Sequence, residues 1–406
     1  MPSVLYISYD GMTDPLGQSQ VIPYLQGLAA HGYSITILSA EKKQAYQNHA
    51  SHIQAILDDA GIAWKTVFYT KKPPVLSTIS DVFALRRAVR QLMKTTQFHL
   101  VHCRSYITPM AGLLVKRKQA AGLLFDMRGF WADERVDGGL WNLKNPVFNA
   151  VYRFFKQKEK HYLEMADATV ALTHAAKAEM YRWVKVRFNP ESINVIPCCA
   201  DFALFQIPDN RQRQLSRSAL GYTPENLVFA YLGSLGTWYL IDEMMQFFAA
   251  VQQAYPQAKL LIITRDTPGV QAENAGISPE NIQYMAASRS EVPQLLSAVD
   301  IGISFIKPSY SKKSSSPTKQ GEMLAMGIPM IVNSGVGDVD EIVLQTQSGA
   351  ILYKMKPEAF NAVINKIPAL LQLDRNEIRH AAAQILDLKT GIESYHKIYK
   401  QLCREA

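Results

Sequence analysis

The sequence predicts an α/β fold made of two doubly wound parallel-sheet domains, and three observations carry that expectation. Short β-branched or apolar runs alternate with amphipathic stretches, the pattern of parallel strands covered by helices. A second series of the same kind starts near Leu227, behind a polar interval from Asp209 to Ser218 that reads as a surface helix or linker. The chain has 406 residues, which suits two or three domains at roughly 150 residues each.

In the first series, Val4 to Ser8, Ser34 to Ser39, His99 to His102, Gly122 to Phe125, Ala168 to Leu172 and Ser192 to Ile196 read as strands. Between them lie helix patterns such as Val21 to His31, where Ile22, Leu25 and Leu28 form one stripe and Gly32 ends the segment. The second series reads Leu227 to Leu232, Lys259 to Thr264, Ile282 to Met285, Ile301 to Phe305 and Pro329 to Asn333. Gly391 to Leu402 carries Ile392, Tyr395, Tyr399 and Leu402 at helical spacing, and that stripe needs a cover. The expected division is a first domain over 1–204, a second over 205–384, and a helix at 385–406 packing back on the first. The plainer alternative makes it an ordinary helix of the second domain.

An apolar share of 48% and a charged share of 19% exclude disorder, collagen-like sequence and coiled coil. No apolar run approaches the ~18 residues of a membrane span. The longest, near Met323 to Val332, is broken by Gly327 and Pro329. The opening MPSVLYISYDG lacks the features of an export leader, so a cytoplasmic address is expected. Cys103, Cys198, Cys199 and Cys403 have neither disulfide-framework nor zinc spacing. The net charge of +8 is uneven: residues 1–200 hold 24 Lys and Arg against 15 Asp and Glu, and the remainder 19 against 20. A basic first half suits a phosphate-bearing partner, an anionic membrane face or nucleic acid, and charge alone does not choose among them.

The first strand runs into YDGMTDPLGQSQ, which places Gly11 and Gly17 in a strand-to-helix loop at the carboxyl edge of a sheet. Such a loop lets backbone approach a phosphate. Its spacing is not G-x-G-x-x-G, and no acidic residue closes the expected second strand, which disfavours a dehydrogenase. Taken alone, the loop serves equally well as a plain turn. More informative is SSSPTKQGEMLAMGIP, Ser314 to Pro329. Pro317 precedes a short helix, Thr318 can cap it, and Lys319 lies in its first turn, a combination that attracts an anion. Glu322, one turn on, can accept from vicinal hydroxyls. The plain reading is a capped surface helix with an i, i+3 ion pair. Nine histidines show no H-E-x-x-H spacing and there is no G-x-S-x-G elbow. The basic, aromatic run from Val151 to Met165 suits an acidic membrane, nucleic acid, or simply a solvated helix face.

EMLAMGIP resembles the E-A-M-A-x-G-x-P signature of the retaining GT-B glycosyltransferases of family four (glycosyl transferases group 1). VIPCCADFALF is similar to that family's V-I-P-N-G-V-D-x-x-x-F, ADATVALTHAAK to its A-D-x-V-x-x-x-S-x-A-x-K, and YLGSLGTWYLIDEMMQFF to its second-domain opening. The likeness spans nearly the whole chain. It implies two Rossmann-like domains facing across a cleft, a nucleotide-diphosphate sugar as co-substrate, no other cofactor and no obligatory metal. Asp338 and Asp340 in GDVDE have the D-x-D spacing of metal sites in the other glycosyltransferase fold, but stand where this family has a G-G-x-x-E loop ending at Glu341.

The resemblance assigns residues as follows. Many members carry two glutamates; Glu322 fills the place of the ribose-binding one, and Ser314 stands where the sugar-binding one would be. Ser234 stands where members place an arginine on the diphosphate, leaving Lys319 as the best cation, with Arg265, Lys312 and Lys313 behind it. The expected donor set is Gly17, Gln18, Gly233, Ser234, Arg265, Ser288, Ser316, Thr318, Lys319 and Glu322. On the acceptor side stand His102, Asp126 and Glu134, and the catalytic set is Arg104, Arg128, Lys319 and Glu322. The plain reading of the arginine and acid group is an interdomain salt-bridge network. The implied reaction is transfer of a sugar, with retention, to a hydroxyl of a glycan or lipid-linked glycan. A peripheral place on the inner membrane face would be held by Lys116, Arg117, Lys118, Arg153, Lys156 and Lys160. The alternatives are a catalytically silent sugar-nucleotide-binding subunit and a basic nucleic-acid-binding protein.

Overall fold

The computed structural model describes residues 1–70, 75–183, 189–267 and 276–403, so the last three residues of the expected C-terminal helix lie outside it. The chain divides into two compact units, Met1–Pro197 with Gly391–Ala406, and Cys198–Thr390.

In the first unit the described strands are β1 (Ser3–Ser8), β2 (Ser34–Glu41), β3 (Ala63–Phe68), β4 (Leu100–Arg104), β5 (Gly122–Asp126), β6 (Ala168–Ala171) and β7 (Ile193–Val195). They form one parallel sheet in the order β3-β2-β1-β4-β5-β6-β7. The second unit holds β8 (Leu227–Leu232), β9 (Ala258–Ile263), β10 (Ile282–Met285), β11 (Ile301–Ser304), β12 (Met330–Asn333) and β13 (Gly349–Leu352). Their order is β10-β9-β8-β11-β12-β13, again parallel. Both units are therefore Rossmann-like α/β folds. The strand order reverses between β1 and β4 and between β8 and β11, which opens a crevice at the carboxyl ends of those strands.

Central strands are buried on both faces, hence their unbroken apolar runs. Along β8, Val228, Ala230 and Leu232 enter one core while Leu227, Phe229 and Tyr231 enter the other. Two strands escaped the sequence reading, and both are sheet edges. β3 alternates exposed and half-buried residues around Trp64, and β13 has only four residues. β4 runs to Arg104 instead of stopping at His102, and β2 runs to Glu41 instead of Ser39. The polar interval forms helix Asn210–Ala219, whose Asp209 accepts from Gln212 N at 2.7 Å while the Gln212 side chain accepts from Asp209 N at 2.9 Å.

Helix Leu388–Leu402 lays its stripe on the first unit: Tyr24 meets the edge of Tyr395, and the Tyr395 and Tyr399 hydroxyls reach into the sheet's carboxyl end. Among the described residues no helix is long and apolar enough to cross a membrane. Two of the lysines expected to meet a membrane are turned to carboxylates instead. Lys116 pairs with Asp167, and Lys156 is held between Asp133 and the buried Glu159. Arg117, Lys118 and Arg153 are exposed, and Lys160 is half-buried.

Candidate functional site

At the carboxyl edge of the first sheet, β1, β4 and β5 bring Asp10, His102, Arg104, Asp126 and Arg128 together. Asp126 is the hub. Its Oδ2 accepts from the Tyr395 hydroxyl at 3.1 Å and lies 3.5 Å from His102 Nε2 and 3.8 Å from Arg104 Nη1. Its Oδ1 lies 3.9 Å from Arg128 Nη1. Arg104 Nε donates to Asp10 Oδ2 at 3.3 Å, and His102 Nδ1 shares a hydrogen bond of 2.8 Å with the Tyr399 hydroxyl. Burial would raise the Asp126 carboxyl, but Arg128, His102 and Arg104 outweigh it and hold it below its ordinary range. Burial lowers the His102 imidazole despite Asp126, so the ring is neutral near pH 7. Two guanidiniums thus face two carboxylates, and the cluster is balanced within one unit. Arg104 ends β4 and Arg128 follows β5, both at tight backbone: Ser105 has φ +65° and Arg128 itself φ +56°, a region that costs a side-chain-bearing residue about 1–3 kcal/mol. Glu134 lies nearby in sequence, half-buried in helix Trp131–Asp137.

The glycine-bearing loop after β1 is anchored by a residue the sequence reading passed over. Glu41, the last residue of β2, is wholly buried and accepts from Met12 N at 2.7 Å, Thr13 Oγ1 at 2.6 Å and Ser39 Oγ at 2.5 Å. An acidic residue therefore does close the second strand. It is spent on the loop backbone and offers nothing to a ribose. Gly17 sits in helix Pro15–Gln20, where a Cβ would lie 2.2 Å from the Gly11 carbonyl oxygen, so close packing demands this glycine. Gln18 Nε2 donates to the Thr13 carbonyl at 3.1 Å.

In the second unit, the carboxyl edge gathers Gly233 after β8 and helix Thr318–Ala325 before β12. Pro317 occupies the N-cap place, so Thr318 moves one position into the first turn and no side chain caps the helix, contrary to expectation. The first-turn N–H groups keep their pull on an anion. Lys319 is buried, with Nζ 3.2 Å from the Tyr231 hydroxyl, 4.4 Å from the Tyr231 ring centre and 3.8 Å from that of Tyr239. Gly233 makes room for it: at φ +136°, a Cβ there would lie 2.7 Å from Nζ. Among the described residues Lys319 pairs with no carboxylate. The i, i+3 pair of the plain reading does not form: Glu322 Oε1 accepts from Arg289 Nη1 at 3.4 Å. Burial lowers the Lys319 ammonium to about 7, with Glu322 pulling the other way. The same burial raises the Glu322 carboxyl against Arg289 and Lys319.

The remaining expected donor residues are spread more widely. Ser234 is exposed, its carbonyl accepting from the Tyr231 hydroxyl. Ser314 is buried and donates to the Ser311 carbonyl at 2.7 Å, while Ser316 Oγ accepts from Cys198 N at 3.1 Å. Arg265 is exposed with Nε donating to Ala287 O at 3.3 Å, and Ser288 Oγ donates to Glu291 at 2.7 Å. Lys312 lies over the Trp238 ring at 3.8 Å. Asp338 and Asp340 fall at the start of helix Val339–Thr346, and no metal-holding group of three His, Cys, Asp or Glu occurs among the described residues. Tyr231, Tyr239 and Arg289 escaped the sequence reading. A tyrosine two places before Gly233 was the available signal.

Comparison with known proteins adds the family. Residues 19–204 match Glycosyltransferase Family 4 and residues 212–384 match Glycosyl transferases group 1. No curated protein sequence matches the chain. Among solved structures it is similar to a sucrose-phosphate synthase from Thermosynechococcus elongatus, at 14% identity and TM-score 0.71, over 100% of both chains. It also resembles Anabaena Alr3699/HepE in complex with UDP-glucose, at 13% identity and TM-score 0.70, over 99% of this chain and 100% of that one. A third likeness is to WaaG, a glycosyltransferase involved in lipopolysaccharide biosynthesis, at 14% identity and TM-score 0.66, over 97% and 99%. With a Glycosyltransferase Family 4 domain followed by a glycosyl transferases group 1 domain, the chain is a glycosyltransferase of the GT-B type.

Proposed function

We propose that this glycosyltransferase moves a hexose from a nucleotide-diphosphate sugar to a hydroxyl of a glycan or lipid-linked glycan, with retention and without an obligatory metal. The observation that carries the reading is Lys319: a buried ammonium without a carboxylate partner, in the first turn of an uncapped helix, beside a glycine at the carboxyl edge of the sheet. A diphosphate supplies the missing counter-charge. As the bond to the sugar breaks, charge grows on the leaving phosphate, and a fixed cation and helix end stabilise it most there. Glu322, oriented by Arg289, receives the ribose hydroxyls. Arg104, Arg128, His102, Asp126 and Glu134 form the acceptor side. The UDP-glucose bound by Alr3699/HepE supports a nucleotide-sugar donor of this class. Attack on the same face assisted by the leaving phosphate, which asks for no protein nucleophile, is the route to retention in this reading.

The reading places the protein in the cytoplasm, at the inner membrane face when the acceptor is lipid-linked. Ser314, which donates to the Ser311 carbonyl, has no carboxylate to offer a sugar as a glutamate would, and that favours the silent binding subunit as the second reading. Thermal stabilisation by UDP, GDP, CMP and ADP selects the base; a ligand at 100 times its dissociation constant adds about 2.7 kcal/mol. Release of nucleoside diphosphate from the matching sugar donor, with the product anomer read by NMR, then separates the readings. Binding without turnover in the presence of candidate acceptors establishes the silent subunit. Stabilisation by none of the four removes the donor assignment.

A further inference from the structure

At the amino end of the second sheet, opposite the edge that holds Lys319, three arginines gather around one carboxylate. Helix Asn210–Ala219 carries Arg211, Arg213 and Arg217 and no acidic residue. Arg213 and Arg217 stand four apart, so both reach Asp300, which directly precedes β11. Arg213 Nη2 donates to Asp300 Oδ1, while Oδ2 accepts from Arg217 Nη2 at 3.1 Å and from Val228 N at 2.8 Å. Arg375, the first residue of helix Arg375–Leu386, joins them: its Nη2 donates to the Val299 carbonyl at 2.6 Å, which also accepts from Arg213 Nη1 at 3.0 Å. Asp374, beside Arg375 in the chain, is turned to its own helix and accepts from Asn376 N at 2.7 Å.

Three positive charges thus share one negative charge. A guanidinium has five N–H donors. Among the described residues Arg375 makes one hydrogen bond, and Arg217 Nε, though buried, has no partner. Burial and then the repulsion of Arg213 lower the Arg375 guanidinium to about 10, and the pull of Asp300 is weaker than either. Like charges packed side by side are unfavourable until an opposite charge joins them. The Arg213 side chain is 24% exposed, so a solute can reach the group.

We propose that Arg213, Arg217 and Arg375 form a binding site for a phosphate group, separate from the one at Lys319. The guanidinium fork matches phosphate oxygens two at a time. A phosphate monoester carries about −1.5 to −2 at pH 7, which answers a surplus of two charges where a carboxylate would answer only one. Residues 201–406 hold 19 Lys and Arg against 20 Asp and Glu, so the excess is local and suits a small anion instead of a polyanion such as nucleic acid. β8 spans six residues, about 17 Å end to end at roughly 3.3 Å per residue, and keeps the two anion sites apart. The site does not depend on the donor reading.

The test is titration calorimetry and thermal unfolding of the full chain with sodium phosphate and with glycerol 3-phosphate, against sodium chloride at matched ionic strength. Lys319→Met serves as the background, because it removes the other candidate cation. The expected result is phosphate binding in that background, weakened at least tenfold by added Arg375→Gln or Arg213→Gln and less by Arg375→Lys. The tighter of the two ligands tells whether free phosphate or a phosphorylated metabolite is the natural source. Arg375→Gln leaves both arginine contacts to Asp300 in place, and an unchanged far-UV circular dichroism spectrum shows that each variant is folded. Equal stabilisation by chloride would mean that salt merely screens the arginines, and would overturn the site. So would phosphate binding that survives both glutamine changes, or its absence from the Lys319→Met background and from the wild type alike.

Discussion

The two sheet edges bury their positive charge in opposite ways. In the first unit, Arg104 and Arg128 share Asp126 and Asp10, and the charge is balanced before any ligand arrives. In the second, Lys319 is packed among tyrosines while the carboxylate one turn away is turned to Arg289. A charge-balanced cluster fixes geometry, because each member holds the next in place. An unsatisfied one stores affinity, because burying an unpaired charge is unfavourable until an opposite charge enters. The contrast fits the proposed roles, positioning at the first edge and anion capture at the second.

The comparison breaks most visibly at Asp126. Asp126→Asn leaves Arg104 and Arg128 buried beside an amide, and loss of one partner of a buried charge group costs about 3–5 kcal/mol. Urea unfolding of the first unit's transition should show it; a change below 1 kcal/mol would mean that water already balances these arginines. Lys319→Met should do the reverse, raising the stability of the ligand-free protein while weakening nucleoside diphosphate binding by about 1.5–3 kcal/mol. Loss of both stability and affinity would make Lys319 an ordinary structural residue. Glu322→Gln should weaken the diphosphate by about 1.5–3 kcal/mol for the ribose-bearing ligand and little for a 2′,3′-dideoxy analogue. Equal losses for both would remove the ribose contact. The smallest effect sharpens the first edge: Tyr395→Phe removes one hydrogen bond to Asp126, about 0.5–1.5 kcal/mol, and should raise the Asp126 pKa by carbonyl-selective NMR without moving diphosphate affinity.

Much of this was legible before the structure. The alternation of runs announced both sheets, and Pro317 with Lys319 announced the helix end. What stayed hidden is what chain distance conceals. Arg289 reaches Glu322 from 33 residues away, and Tyr231 looks like any core residue of a buried strand until its hydroxyl is seen beside Lys319. Tyr395 and Tyr399 read as an apolar stripe because spacing reports the ring and says nothing of the hydroxyl. Glu41 stayed hidden because β2 continues two residues past Ser39, where the apolar pattern weakens to a single alanine. The cap at Thr318 was misjudged because Pro317, with an extended backbone, already serves as the boundary residue.

The central claim is that Lys319 receives the diphosphate, and its lowered pKa gives that claim a pH signature. Near pH 7 the free ammonium is partly deprotonated, and an entering diphosphate raises its pKa again, so binding takes up a proton. Affinity should therefore be full below about 7 and decline above it, by up to tenfold per pH unit, until the bound-state pKa is passed. The measurement is titration calorimetry of the best-stabilising nucleoside diphosphate between pH 6 and 9, in two buffers of different ionisation enthalpy, with Lys319→Met as the baseline for the ligand's own phosphate. The account predicts that, relative to the variant's baseline, the wild type takes up more protons and loses affinity as the pH rises above about 7. Identical pH dependence and identical proton uptake in the two proteins would contradict it.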